Sequence, residues 1–131
     1  MILSLSVAGP LLRGAGGVLN KTNNKTLMAD FRATLQYKST EEGGRYTPAK
    51  SGYCPTIKFS FEKGLFGGVQ YFIGKGWVLP GETITADIYL IISGYFQNRL
   101  EEGMTFEFTE GARIIGTGII TKIINEKLRK Q

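Results

Sequence analysis

Apolar and polar residues alternate with a period of two along most of this chain. Phe31, Ala33, Leu35 and Tyr37 interleave with Arg32, Thr34, Gln36 and Lys38, which is the pattern of a strand with one face in a core and the other in water. The pattern recurs with Ile57, Phe59 and Phe61 against Lys58, Ser60 and Glu62. It returns with Ile84, Ala86, Ile88 and Leu90 against Thr85, Asp87, Tyr89 and Ile91, and with Met104, Phe106 and Phe108 against Thr105, Glu107 and Thr109. Residues 69–73 make a shorter strand. The isoleucine-rich run 113–124 makes a long one, and Gly116 and Gly118 inside it predict a bulge or a corner. No segment carries a convincing helical period, so five or six closely spaced strands predict an all-β barrel or sandwich.

Between the strands, residues 39–48 (Ser-Thr-Glu-Glu-Gly-Gly-Arg-Tyr-Thr-Pro) form a loop by their glycines and proline, and residues 51–55 continue irregular structure. Gly64, Gly67 and Gly68 mark a turn, and Gly74, Gly76 and Pro80-Gly81 frame the lone Trp77. At 131 residues the chain holds one domain. It divides into an N-terminal extension or linker of at most one strand (1–28), a barrel (29–125) and a basic C-terminal tail (126–131).

Composition removes much chemistry. There is no histidine and Cys54 is the only cysteine, which excludes His/Cys zinc clusters, histidine-based nucleophilic catalysis and an internal disulfide. The sequence implies no metal and no cofactor. No run of about 18 uncharged apolar residues predicts a membrane-spanning helix. Residues 1–12 are apolar, but no basic segment precedes them and no A-x-A site follows, so a cytoplasmic protein is expected. In that compartment the sequons at Asn20 and Asn24 mean only a polar loop. The formal net charge of +5 is unevenly placed, at +3 in residues 1–29, −1 in 30–120 and +3 in 121–131. A neutral central domain does not by itself imply a polyanion partner, and a tail bearing Lys127, Arg129 and Lys130 reads as solvated.

Several motifs carry less than they suggest. Gly74-Lys75-Gly76 lacks the hydroxyl residue that a phosphate loop places after its lysine, and no strand-to-helix transition follows it. The carboxylates Glu41-Glu42, Glu101-Glu102 and Glu110 would need to converge across a cleft to act as an acid–base pair, and neighbours in a strand face opposite ways. Arg45 and Arg113 are different. Each sits on a glycine-bearing loop, where a planar guanidinium can meet a phosphate while the backbone comes close.

Taken together, five segments in order resemble the C-terminal β-barrel, the third domain, of the translation elongation factor Tu family. Residues 41–48 (Glu-Glu-Gly-Gly-Arg-Tyr-Thr-Pro) resemble its E-E-G-G-R-H-T-P loop, and residues 51–55 its S-G-Y-R-P. Residues 78–82 resemble its M-P-G-D turn, residues 100–106 its L-E-E-G-L-R-F, and residues 110–118 its E-G-G-R-T-V-G-A-G. The resemblance implies a closed six-stranded antiparallel barrel without catalytic residues or GTPase activity of its own. It also implies a role in translation, in contact with the T-stem of aminoacyl-tRNA, a GTP-binding domain and a nucleotide-exchange factor. Carried over by motif, Arg45 approaches a tRNA phosphate, Tyr46 keeps a stacking ring where the family has histidine, and Glu110 with Gly111 meets the T-stem minor groove. A carboxylate suits that groove because 2′-hydroxyls and guanine amino groups are donors, and a glycine lets the backbone approach. The competing expectation is a barrel that binds protein, or associates with itself as a homo-oligomer, and no longer binds RNA.

Overall fold

Strands form where the sequence alternates, and the barrel closes because each strand finds an antiparallel neighbour on both sides. In the computed structural model, which describes residues 28–131, β1 (Phe31–Tyr37), β3 (Thr56–Phe59), β4 (Phe66–Phe72), β6 (Thr83–Leu90), β7 (Thr105–Glu110) and β8 (Arg113–Ile123) make a closed barrel in the order β1-β6-β4-β3-β7-β8. The expected six-stranded antiparallel barrel is thus the fold, and closure leaves its sheet without a free edge. A separate two-residue pair, β2 (Ala49–Lys50) with β5 (Trp77–Val78), covers one end. The apolar start and the two sequons lie outside the described residues.

The inward residues of the alternating runs make the core. Phe31, Leu35, Tyr37, Ile57, Phe59, Ile88, Phe108 and Ile120 are each at most 1% exposed. Tyr37 and Phe108 meet edge-on at 4.9 Å, and Phe31 meets Phe106 at 5.7 Å. The glycines of β8 serve these rings. A Cβ at Gly116 would lie 2.2 Å from the Phe108 ring and one at Gly118 2.3 Å from Phe106, so both positions are hollows for aromatic side chains. One register shift adjoins Gly116, as the glycines of this run predict, and the other lies further along the strand. β8 carries an extra residue at Ile115 opposite Phe108/Thr109, and another at Thr121 opposite Arg32/Ala33.

One expectation is corrected. β3 ends at Phe59, and Phe61 turns outward to stack on Phe59 at 5.2 Å beneath the Arg99 guanidinium. The basic tail is docked on the barrel while Lys127 and Lys130 stay exposed. Glu126–Leu128 forms a 3-10 turn, Leu128 is 1% exposed, and Leu100 bridges to Arg129. Buried Asp30 ties the start of β1 to this region. Its carboxylate accepts from the Leu90 N–H at 2.7 Å and from Asn125 Nδ2 at 3.0 Å, while its carbonyl accepts from the N–H groups of Ile124 and Asn125.

Candidate functional site

The loop between β1 and β2 is built from its own sequence. Ser39 Oγ accepts from the Glu42 N–H at 3.2 Å while Glu42 Oε1 accepts from the Ser39 N–H at 3.1 Å, a reciprocal capping box. The Ser39 N–H first, and the Ser39 hydroxyl after it, hold the Glu42 carboxyl below the ordinary carboxylate range. The Gly44 N–H donates to the Ser39 carbonyl at 2.9 Å. Gly44 sits so close to the preceding turn that a Cβ would stand 2.3 Å from the Lys38 carbonyl oxygen. Thr40 Oγ1 donates to the Arg45 carbonyl at 2.7 Å. The result is a folded loop that delivers Arg45 and Tyr46 to one end of the barrel.

The β7–β8 hairpin arrives at the same end. Glu110 pairs with Arg113 across a two-residue turn in which Gly111 alone has positive φ, at +59°, the pattern of a type II′ turn with glycine first. No atom comes within 4 Å of a Cβ built on Gly111, so its backbone faces open space.

All four residues singled out from the sequence, Arg45, Tyr46, Glu110 and Gly111, therefore meet here. Their roles differ. Arg45 is directed inward. Its Nη1 donates to Glu110 Oε2, its Nε to the Thr47 carbonyl at 3.1 Å, and its Nη2 to Thr47 Oγ1 and the Pro48 carbonyl, both at 3.2 Å. Four of the five guanidinium donors are thus engaged by the protein's own loop, and the group also lies 4.7 Å from the Tyr53 ring centroid. A phosphate reaching Arg45 would have to displace these contacts.

Glu110 is held on one side only. Its Oε2 accepts from Arg45 and from the Tyr53 hydroxyl, and no described residue donates to Oε1. Burial first, and the Glu110 carboxylate next to it, push the Tyr53 phenol well above its ordinary range, so it remains a donor. Below this cluster, buried Tyr37 donates its hydroxyl to Gln70 Oε1, and burial raises its phenol likewise. Tyr46 is 78% exposed, and the Arg113 guanidinium lies 5.6 Å from its ring while donating to the Gly44 carbonyl at 3.1 Å.

Tyr53 is the member that sequence reasoning did not single out. Nothing local marks it, because its partner stands 57 residues away. The remaining carboxylates do not join this cluster. Glu102 lies at the far end of β7, where it binds Arg129 and the Ile123 N–H. Lys75, of the glycine-lysine-glycine turn, pairs with Glu82 at 3.0 Å. Burial pushes the Cys54 thiol up rather than activating it. Among the described residues no group of His, Cys, Asp or Glu side chains is arranged to hold a metal ion, and no helix is long and apolar enough to cross a membrane. A depression of about 370 Å³ on the outer wall, lined by Lys58, Ser60, Thr105, Phe106, Glu107 and Thr117, lies on β3, β7 and β8 away from the loop cluster. No family model matches the chain.

Proposed function

We propose that this chain is a non-catalytic binding module of the elongation factor Tu third-domain kind, whose loop end meets a tRNA helix through Tyr46, Glu110 and Gly111, with Arg45 holding the loop in place. The observation that carries the reading is the half-used carboxylate of Glu110. Its Oε2 is fixed by Arg45 and Tyr53, and its Oε1 is left to accept a donor from outside, beside a turn whose backbone at Gly111 is unobstructed. An A-form minor groove offers such donors on a wide, shallow surface that a protein backbone can approach. In this reading the barrel itself supplies no GTP-dependent step.

The test is a titration with total tRNA at low and high salt. Binding at low salt is expected for the wild type. Gly111→Asn, among the substitutions a positive-φ turn position tolerates best, is expected to weaken binding by filling the approach, with the unfolding midpoint recorded alongside because a side chain at φ +59° is strained. A wild-type chain that shifts no tRNA at low salt ends this reading.

A second reading has its own observation. Tyr71, Ile73 and Ile91, exposed by 49%, 42% and 63%, lie on the outer wall of β4 and the end of β6, with Trp77 and Leu79 nearby in the chain at 53% and 49%. Apolar side chains in such number on a small barrel favour a protein surface, either a GTPase-domain or exchange-factor-like protein or a second copy. Concentration-dependent light scattering, or a nuclease-resistant protein complex, together with no tRNA binding, would select it.

A further inference from the structure

We infer that Arg113, not Arg45, is the phosphate-contacting cation of the loop end, with Tyr46 as the plate that orients it. This rests on the RNA-binding reading above and assigns the anion contact within it. Arg45 has four donors committed to Glu110, Thr47 and Pro48, and its charge is compensated by Glu110. Among the described residues the Arg113 guanidinium makes one hydrogen bond, from Nη1 to the Gly44 carbonyl, and no carboxylate stands within ion-pair distance of it. Its guanidinium lies over the exposed Tyr46 ring, an arrangement that holds a planar fork in one orientation while leaving its remaining N–H groups outward. It stands at the end of the same hairpin that presents Glu110 and Gly111.

The ligand chemistry follows from the pair. A carboxylate oxygen seeking a donor and an uncompensated guanidinium seeking an anion, on one two-residue hairpin, match a ribose 2′-hydroxyl or base amino group next to a backbone phosphate. The loop 38–48 and turn 110–113 together hold three basic and three acidic residues, so the electrostatic contribution is small and concentrated at Arg113. The dependence of log affinity on log salt is therefore shallow, near the value of about 0.7 to 0.9 expected for one phosphate contact.

The experiment measures tRNA affinity of the full chain at four salt concentrations for the wild type, Arg113→Gln, Arg113→Lys and Arg45→Gln, with the unfolding midpoint of each variant recorded alongside. Arg113→Gln is expected to weaken binding about tenfold at low salt and to flatten the salt dependence, with an unchanged midpoint. Arg113→Lys keeps the slope but recovers only part of the affinity, because an ammonium lacks the stacked fork. Arg45→Gln lowers the midpoint and weakens binding but keeps the wild-type slope. A slope lost in Arg45→Gln and kept in Arg113→Gln overturns this assignment alone. No binding by the wild type overturns it together with the RNA-binding reading.

Discussion

The two ends of the barrel each use arginine as a clasp, and they differ in what is left over. At the far end Arg99 pairs with Glu62 at 3.1 Å and lies over the Phe61 and Tyr95 rings, while Arg129 takes both Glu102 and Glu126 at 2.7 Å. Lys130 approaches Glu101 at 3.9 Å. The clasps there are closed by carboxylates, and Phe96 and Leu128 are sealed beneath them. At the loop end Arg45 is closed by Glu110, yet Arg113 and Tyr46 are exposed and no described residue donates to the second oxygen of Glu110. Placing stability at one end and open chemistry at the other is what a binding module requires, since groups that must meet a partner cannot also be saturated from within.

The largest expected effect lies at the sealed end. Phe96 is fully buried, 4.9 Å from Phe66 and 5.3 Å from Phe59. Phe96→Ala should cost about 3–5 kcal/mol, the usual range for a large aromatic removed from a core, measured as a fall in the urea midpoint at constant slope. Amide chemical shifts of Gly44 and Gly111 should stay in place in the folded fraction. Movement of those signals would show that the two ends are not independent and would break the comparison.

A smaller and more local effect is expected in the loop. Gly44→Ala forces a Cβ against the Lys38 backbone, where no side-chain rotamer can relieve the overlap, and should cost roughly 1–3 kcal/mol. The natural control is Gly94, at the other end, which has open space around its Cβ position and no positive φ. Gly94→Ala should leave stability within about 0.5 kcal/mol of wild type. Equal midpoints for the two variants would mean that the loop is not held as tightly as the Ser39–Gly44 contacts indicate.

Much of the barrel was legible because period-two alternation is a local property, set by the pleat and by one buried face. β1, β6 and β7 follow their alternating runs closely. Of the two bulges of β8, the one beside Gly116 was signalled by that glycine, but neither the bulged residue nor the second bulge was legible. Ile115 and Thr121 look like any other strand residues, and their irregularity exists only relative to β7 and β1. The pair β2–β5 is two residues long and has no period to read. The four site residues could be gathered from the sequence by resemblance, but not the direction in which Arg45 points, because that depends on Glu110, 65 residues away. Docking of the basic tail is not legible in the sequence for a related reason. A single Leu128 among charged residues signals little until Leu100 and Arg129 are seen to bridge.

The smallest effect concerns acid, and it should fall on the sealed end. Hydrogen bonds from Arg129, and then from the Ile123 N–H, pull the Glu102 carboxyl from its ordinary value near 4.5 down to about 2. The unfolded chain binds a proton at this carboxylate before the folded chain does, so its contribution is whole above about pH 4.5 and is lost progressively as pH falls toward 2. Other carboxylates, Glu62 and Glu126 among them, are lowered too, which makes the total acid response a poor test and a difference between two proteins a good one. Urea midpoints at pH 5, 4, 3 and 2 should therefore converge for wild type and Glu102→Gln as acid removes from the wild type what the substitution has already removed. Midpoints that stay parallel through that window would show that Arg129 does not hold Glu102 in solution, and the docked tail would lose its electrostatic tie to the barrel.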